Sequence, residues 1–351
     1  MKTATPDIPS PNPSRKREGN LTTLTRLPDP SSPLSRETAA QAFADLLDAR
    51  TSEEEIATFL IGLTERGETS IEIAEAARAM RSRLIPIDAP ADAIDVCGTG
   101  GDGHHTLNVS TAVSIVVAST GVPVAKHGNR AASSKAGAAD TLEALGLDMH
   151  RAGQNAEASL RDIGIAFLFA ANHHPAMKRI TPIRQKLGVR TIFNLMGPLA
   201  NPAGVTRQLI GIARPDYATT YAAALEQLGT EAALVVSGEE GLDELSSAGP
   251  SVAIGVGQVA LPANITPEDA GLPRHPLSAI RGGDPAHNAA ALRRLLQGET
   301  GAYRDAVLLN AAAALVVAGR THDLVDGAAI AAEAIDNTAA NTLLDRWIAY
   351  S

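Results

Sequence analysis

Apolar residues recur at helical spacing in the first part of the chain that shows a periodic pattern. The first apolar stripe consists of Ala39, Ala42, Phe43, Leu46 and Leu47. Two capping-box patterns follow, Ser52 with Glu55 and Thr69 with Glu72, and each precedes a further apolar stripe. These patterns predict a small all-helical domain over residues 35–88, which ends in a proline-containing linker.

The pattern changes near residue 92, where short β-prone runs begin to alternate with Ala-rich helical stretches. The runs cover residues 93–97, 122–125, 165–170, 207–212 and 232–236. Strands that alternate with helices predict an α/β domain over residues 89–351, with a mostly parallel central sheet and right-handed crossovers. The final stretch, 285–349, predicts the Ala-rich helices that complete this domain.

Residues 1–34 differ from both predicted domains. They are rich in Pro and Ser and carry a basic patch at Arg15, Lys16 and Arg17. Because they lack apolar periodicity, we predict that the whole segment is a disordered tail. The segment has neither the apolar stretch of a secretory signal nor the amphipathic pattern of a transit peptide, so a targeting role is not expected.

The composition argues against several classes of function. The 351 residues carry a net charge of −9 and only 3% aromatic residues, which is unlike a nucleic-acid-binding protein. No apolar run approaches the roughly 18 residues of a membrane span. Cys97 is the only cysteine, so no intrachain disulfide can form, and we expect a reducing, cytoplasmic location. No closely spaced set of Cys and His residues suits zinc.

A Gly-rich turn follows the first predicted strand. It consists of Gly98, Thr99, Gly100, Gly101, Asp102 and Gly103, and a helical stretch begins soon afterwards, near Asn108. Glycines let the backbone approach a ligand, and a helix start has unpaired N–H groups, so this turn predicts a phosphate site. It is not a P-loop, which needs Lys directly before Ser or Thr. It also lacks the acidic residue that follows a dinucleotide-binding turn by about twenty residues.

A basic turn follows the second predicted strand, with the sequence Lys126-His127-Gly128-Asn129-Arg130. Ser133 and Ser134 come next, just before another predicted helix. Ligands of parallel α/β sheets bind at the carboxyl ends of strands, where both turns lie. We interpret the two turns as opposite walls of a site for a phosphorylated substrate.

The combination of motifs resembles the anthranilate phosphoribosyltransferase family. The matching segments are GTGGDG (98–103), NVST (108–111), KHGNR (126–130), GVRTIFNLMGPLANP (188–202) and GLDELS (241–246). The resemblance extends from about residue 35 to the C-terminus. It implies a fold of the nucleoside phosphorylase and phosphoribosyltransferase class, with a segment near 180–200 that returns to the helical domain. It also implies a homodimer formed through the helical domain.

The family resemblance implies a specific glycosyl transfer reaction. The phosphoribosyl group of 5-phosphoribosyl 1-pyrophosphate (PRPP) would pass to the amine of anthranilate, giving N-(5-phosphoribosyl)anthranilate and pyrophosphate, in tryptophan biosynthesis. Two alternatives are a pyrimidine nucleoside phosphorylase-like enzyme and an inactive relative that binds nucleic acid. Arg184 together with the joint motifs argues against the first, and the acidic net charge argues against the second.

The resemblance also implies the residues that contact PRPP. They are Gly98, Gly101, Asp102, Thr106, Asn108, Val109, Ser110, Thr111, Lys126, His127, Gly128, Asn129, Arg130, Ala131, Ala132, Ser133, Ser134 and Ala138. Many relatives have Ser where this chain has Ala138, which removes one hydroxyl contact. Asp102 would repel phosphate, so we expect it to shape the turn, to bind a ribose hydroxyl or to hold a metal-bound water.

Metal and acceptor positions follow from the same resemblance. Ser110 matches the ligand of a first Mg²⁺, and Asp243 with Glu244 matches the acidic pair for a second, so two Mg²⁺ per subunit are expected. The implied anthranilate contacts are Gly98, Asn129 and Arg184, with His127 and His173 as candidate lining residues.

For catalysis we predict no catalytic side chain that acts as nucleophile or general base. An aryl amine is uncharged at neutral pH and attacks without prior deprotonation. We expect alignment and electrostatic stabilisation to supply the rate, with Lys126 supporting the pyrophosphate leaving group.

Overall fold

The structure is a computed structural model that describes residues 1, 24–130 and 135–351. Three helices come first: α1 (Arg36–Leu47), α2 (Glu53–Arg66) and α3 (Ser70–Arg81). The side chains of Ser35, Ser52 and Thr69 cap them, each accepting a backbone N–H from the first turn. Only Thr69 forms the reciprocal capping box, because the Glu55 carboxylate accepts instead from the N–H of Leu27.

The α/β domain is built on one seven-stranded sheet in the order β3-β2-β1-β4-β5-β6-β7. The strands are β1 (Ile94–Gly98), β2 (Val124–Gly128), β3 (Ile165–Phe169), β4 (Arg207–Gly211), β5 (Ala232–Gly238), β6 (Ser251–Gly257) and β7 (Asn264–Ile265). β1 to β5 are parallel, which confirms the predicted sheet. β6 and β7 pair antiparallel at one edge and were not predicted.

Twelve further α-helices pack around the sheet or join its strands in the described part of the chain. Between β1 and β5 these are α4 (Val109–Ser119), α5 (Ala138–Leu145), α6 (Met149–Gln154), α7 (Ala156–Ile163), α8 (Ala170–His173), α9 (Met177–Leu187), α10 (Met196–Leu199) and α11 (Ala218–Gln227). After β7 come α12 (Pro285–Leu296), α13 (Ala302–Val317), α14 (Leu324–Asp336) and α15 (Ala339–Tyr350), which confirm the predicted Ala-rich helices.

Successive strand residues face two different cores, as the pleat of a β-strand requires. In β5, Leu234 packs into a cluster with α4 and the C-terminal helices α12 to α15. Its neighbour Val235 packs into a second cluster, which contains α1 to α3 together with α9 to α11. The helical bundle and the sheet therefore share an apolar core.

Residues 24–34 depart from the predicted disordered tail. Leu27 and Leu34 are buried in the cluster formed with the helical bundle. Their N–H groups donate to Glu55 at 2.7 Å and to Glu72 at 2.9 Å. The prediction of disorder over residues 1–34 was therefore wrong for this part, because two isolated leucines bury without producing a periodic pattern. Residues 2–23, including the basic patch, lie outside the described residues.

No helix in the described ranges is long and apolar enough to cross a membrane.

Candidate active site

The predicted site lies where the chain reverses its direction of travel across the sheet. From β1 the chain moves outward to β2 and β3, and it then returns to place β4 on the other side of β1. Such a switch point opens a crevice at the carboxyl ends of the parallel strands. The Gly-rich loop follows β1, the basic turn ends β2, and the acidic loop follows β5.

The Gly-rich loop needs glycine both for its backbone shape and for its contacts. Gly100, Gly101 and Gly103 have φ angles of 69°, 76° and 79°, which side chains other than glycine rarely adopt. A Cβ added to Gly98 would lie 2.2 Å from Oδ2 of Asp243. Gly98 is therefore required for the approach of the Asp243 carboxylate.

Three predicted functional groups meet at the start of α4. The N–H of Ser110 donates to Oε1 of Glu244 at 3.0 Å. The ammonium of Lys126, which is 2% exposed, donates to the Val96 carbonyl at 2.7 Å and to Oγ of Ser110 at 3.3 Å. Burial lowers the pKa of Lys126, and the nearby negative charge of Asp95 opposes that shift. A cation, a hydroxyl and a carboxylate thus share one end of the helix.

The acidic pair carries more negative charge than its protein surroundings balance. Burial, together with the charge of Asp102, raises the pKa of Asp243 to about 6. Burial and the charge of Asp243 raise the pKa of Glu244 well above its usual value. Oε2 of Glu244 is buried and has no hydrogen-bond partner within the described ranges. An oxygen-seeking cation would relieve both the repulsion and the unpaired oxygen.

The protein ligands at this position would form an open metal site. In the part of the chain that the structure describes, no group of three or more His, Cys, Asp or Glu side chains could hold a metal ion. Two carboxylates and the Ser110 hydroxyl supply fewer oxygens than the six that an octahedral ion needs. The remaining ligands would have to be water or substrate oxygens, which is how Mg²⁺ is commonly held beside phosphates.

The basic turn presents two exposed residues at the end of β2, Asn129 and Arg130. The Arg130 guanidinium pairs with Asp140 at 2.9 Å and with Glu143 at 2.6 Å, and it lies over the Phe169 ring. Arg130 would have to exchange these carboxylates for phosphate in order to bind PRPP.

Four of the residues that were predicted to contact PRPP, Ala131, Ala132, Ser133 and Ser134, lie outside the described residues. Ala138, at the first position of α5, is half-buried and packs near Gly128. A Cβ added to Gly128 would lie 2.7 Å from the ring of Phe167 on the neighbouring strand β3, so this end of β2 is tightly packed.

Other predicted PRPP contacts have structural partners. The Asn108 amide oxygen accepts from Thr141 at 2.6 Å and from Asn288 at 2.9 Å, so this side chain ties α4 to α5 and α12. Thr106 pairs with Arg281 in an isolated β-bridge. Asp102 accepts the His104 N–H at 3.2 Å, which agrees with a role in shaping the turn.

Val109 and Thr111 are buried at the first turn of α4. The Thr111 hydroxyl has no hydrogen-bond partner among the residues that are described.

Arg184 lies on α9, which belongs to the cluster of the helical bundle. Its Nη2 donates to Oδ1 of Asn194 at 3.1 Å, and its guanidinium lies 5.9 Å from the centre of the Phe193 ring. Burial lowers the pKa of Arg184. Its Nε is buried without a partner, and no carboxylate in the described ranges forms an ion pair with it. Arg184 is therefore held in place while its Nε remains available as a hydrogen-bond donor.

The predicted histidines are buried in the protein interior. His127 Nδ1 lies 2.8 Å from the Gly197 carbonyl, which can only accept, so this nitrogen carries the proton. His127 Nε2 lies 3.3 Å from Nε2 of His174. His173 Nδ1 lies 2.8 Å from the Ile85 carbonyl in the linker. These placements favour structural roles for His127 and His173 over the expected lining of the anthranilate site.

Asp95 has a structural role that was not predicted from the sequence. It is fully buried in β1, and its carboxylate accepts from the His127 N–H at 3.1 Å and from Asn201 at 2.8 Å. Burial raises the pKa of Asp95, opposed by the charge of Lys126. A single polar residue in an apolar strand was the available signal. Asn201, near the end of the GVRTIFNLMGPLANP motif, also donates to the Ala125 carbonyl.

Asn310 was missed because it lies in an Ala-rich helix far along the sequence. Its amide oxygen accepts the N–H of Leu245 at 2.9 Å, and its amide nitrogen donates to the Leu245 carbonyl at 3.0 Å. Leu245 directly follows Glu244, so this buried amide fixes the acidic loop. No local pattern marks such a contact.

Family models match the chain in two parts. The glycosyl transferase family, helical bundle domain, matches residues 22–84, and the glycosyl transferase family, a/b domain, matches residues 90–341. Among curated relatives, anthranilate phosphoribosyltransferase of Novosphingobium aromaticivorans is 65% identical over 93% of this chain and 99% of its own length. That of Sphingopyxis alaskensis is 66% identical over 92% of this chain and 98% of its own length.

Solved structures of similar proteins include anthranilate phosphoribosyltransferase from Thermus thermophilus. It is 44% identical, superposes with a TM-score of 0.87, and the match covers 91% of this chain and 96% of that one. The Saccharomyces cerevisiae enzyme, in complex with PRPP and Mg, is 28% identical with a TM-score of 0.81. That match covers 90% of this chain and 93% of the yeast chain. A further yeast structure contains 4-fluoroanthranilate.

Proposed function

The chain belongs to the anthranilate phosphoribosyltransferase family, and on this basis we propose how its crevice carries out the reaction. The enzyme transfers the phosphoribosyl group of PRPP to the amine of anthranilate, as a glycosyltransferase of tryptophan biosynthesis. The observation that carries the residue assignment is the meeting of Ser110, Lys126 and Glu244 at the start of α4, beside the Gly-rich loop.

We assign the PRPP pyrophosphate to the space between the Gly-rich loop and the basic turn. The helix dipole favours an anion at the start of α4, where the N–H of Thr111 has no acceptor among the described residues. Lys126 adds a buried positive charge beside Ser110. Asn129 and Arg130 complete the proposed donor wall from the other side.

The acidic loop supports Mg²⁺ use, and the structure of the yeast relative is a complex with PRPP and Mg. We propose Ser110 as a ligand for one ion and Asp243 with Glu244 as ligands for a second. When bound, Mg²⁺ would neutralise the charge that grows on the departing pyrophosphate. The unpartnered Glu244 oxygen and the raised pKa of Asp243 support this assignment.

Arg184 is our proposed acceptor-binding residue. Its planar guanidinium can bind a carboxylate through two parallel hydrogen bonds, and its Nε has no protein partner in the described ranges. Asn194 holds the side chain through its Nη2. Gly98 and Asn129 are assigned to the acceptor side with it.

The residues act by holding and orienting the reactants. Lys126 and the dipole at the start of α4 stabilise the leaving pyrophosphate, while Arg184 aligns the amine with the anomeric carbon. The amine is neutral at physiological pH, so it needs no base before attack. Its proton leaves afterwards to water or to the departing pyrophosphate.

The reaction can be tested directly by fluorescence. Purified protein is mixed with anthranilate, PRPP and Mg²⁺, and the loss of anthranilate fluorescence is followed over time. We expect consumption that depends on all components. Consumption of a pyrimidine nucleoside with inorganic phosphate, in place of this reaction, would contradict the proposal.

We also propose a homodimer formed through the helical bundle, on the basis of the family resemblance. Sedimentation velocity should give twice the mass of the 36.3 kDa chain. A single species at the chain mass across micromolar concentrations would contradict this.

A further inference from the structure

Arg190 has no role in the proposal above, yet its side chain binds the Gly-rich loop. Its Nη1 donates to the Gly101 carbonyl at 3.0 Å and its Nη2 donates to the Gly100 carbonyl at 3.3 Å. A Cβ added to Gly101 would lie 2.7 Å from Nη1, so the guanidinium approaches the loop as closely as glycine allows. In the part of the chain that is described, Arg190 forms no ion pair that would give it another purpose.

This contact determines which way the loop presents its N–H groups. The C=O and N–H of a trans peptide point in opposite directions. Because Arg190 holds the carbonyls of Gly100 and Gly101, the N–H groups of Gly101 and Asp102 are directed away from it. Neither N–H has a hydrogen-bond partner within the described residues. A positive charge at the carbonyl end also polarises each peptide and strengthens its N–H as a donor.

The loop is also held by Asp243 of the acidic pair. The N–H of Gly100 donates to Oδ2 of Asp243 at 2.7 Å. Gly100 is thus bound through its N–H to a carboxylate and through its carbonyl to a guanidinium. The charges of Asp243 and Arg190 therefore set the orientation of the two peptide units on either side of Gly100.

We propose that Arg190 is a positioning residue for the donor site, which turns the N–H groups of Gly101 and Asp102 toward the PRPP pyrophosphate. The inference rests on the proposed function, because it takes PRPP as the ligand of the loop. Arg190 acts through the backbone and does not itself contact the substrate.

The test compares Arg190→Met and Arg190→Lys with a control, Arg179→Met. Arg179 lies on the neighbouring helix α9 and also donates to backbone carbonyls, those of Leu46 and Thr51, but far from the loop. PRPP binding in Mg²⁺ is measured by titration calorimetry, anthranilate KM by fluorescence, and folding by thermal denaturation.

We expect Arg190→Met to weaken PRPP binding by about tenfold. This is the order of the affinity loss expected when hydrogen bonds from a charged donor are removed. Anthranilate KM should stay within about twofold of the wild type, because Arg190 binds the donor loop. A twofold change corresponds to under about 0.5 kcal/mol. Arg190→Lys should recover little, because an ammonium lacks the planar fork that spans two carbonyls. Arg179→Met should leave PRPP binding unchanged even if it lowers the melting temperature.

Three results would overturn the inference. They are unchanged PRPP binding in Arg190→Met, equal weakening for both substrates, and full recovery in Arg190→Lys, which would show that charge alone suffices. Failure of the proposed function would look different: the wild-type protein would bind PRPP without consuming anthranilate.

Discussion

Arg184 shows how a single residue can be tested for a role in only one half of the reaction. It is partly buried, one edge is bonded to Asn194, and its Nε lacks a partner in the described ranges. Replacing it with Ala should remove a charge-assisted pair with the anthranilate carboxylate, worth about 1.5–3 kcal/mol. Apparent KM for anthranilate should then rise roughly ten- to hundredfold.

The matched measurement is KM for PRPP in the same Arg184→Ala protein, which should change little. Misalignment of the amine would also lower kcat, because attack depends on geometry. A rise in KM for PRPP as large as that for anthranilate would show that Arg184 belongs to the donor side.

The acidic pair leads to a second prediction at the residue scale. Asp243→Asn combined with Glu244→Gln removes two charges that burial and mutual repulsion disfavour. Without metal, the variant should therefore melt at or above the wild-type temperature. Addition of Mg²⁺ with PRPP should stabilise the wild type but not the variant, which should also lose activity.

Glu239→Gln provides the control for this variant, since Glu239 is an exposed carboxylate on the same loop. It should retain both the ligand-dependent rise in melting temperature and the activity. A double variant that keeps the Mg²⁺-dependent rise would contradict the metal assignment.

At the scale of elements, a pair of imidazoles joins β2 to the segment after α8. Burial, with the charge of His174, lowers the pKa of His127 to about 3. Burial, with the charge of His173, lowers the pKa of His174 to about 4. Both values lie below the usual value near 6.5, so the packing of these elements requires neutral rings.

The unfolded chain therefore binds more protons than the folded one from pH 6.5 down to about 4 for His174 and about 3 for His127. Stability should be complete above this window and decline as the pH falls through it, by up to about 1.4 kcal/mol per pH unit for each ring. Denaturant unfolding at several pH values measures the slope.

His174→Gln should reduce that slope, because one titrating ring is removed. His322→Gln, which changes an exposed histidine, should leave it unaltered. An unchanged slope in His174→Gln would show that the pair does not control acid stability.

At the scale of the whole molecule, the helical bundle depends on the sheet for its core. Phe43 of α1 and Ile183 of α9 belong to the same cluster as Ile210 of β4 and Val235 of β5. A fragment of residues 24–88 would expose the apolar face that α9, α10 and α11 cover. We expect such a fragment to show weak helical circular dichroism and no cooperative thermal transition.

The full chain is the reference for this fragment, and it should unfold with the bundle and the sheet in one transition. A sharp transition in the fragment, near the melting temperature of the full chain, would show that the bundle is an independent folding unit.

Local patterns predicted the bundle helices, the five parallel strands and the site motifs, but not the edge strands β6 and β7. Capping residues and apolar periodicity located α1 to α3, and β-prone runs located the five parallel strands, because these properties depend on neighbours in sequence. The motifs around Gly98, Lys126 and Asp243 likewise carried the family resemblance, and the similarity to known relatives confirmed it.

Only the tertiary structure decided which distant residues act on those motifs. Asn310 binds Leu245 and Arg190 binds Gly101 across long stretches of chain, and neither contact leaves a trace in local composition. Leu27 and Leu34 were assigned to a disordered tail because isolated apolar residues have no period, yet the bundle buries both. Sequence determines local conformation through neighbouring residues, whereas burial and hydrogen bonding between distant segments exist only once the chain has folded.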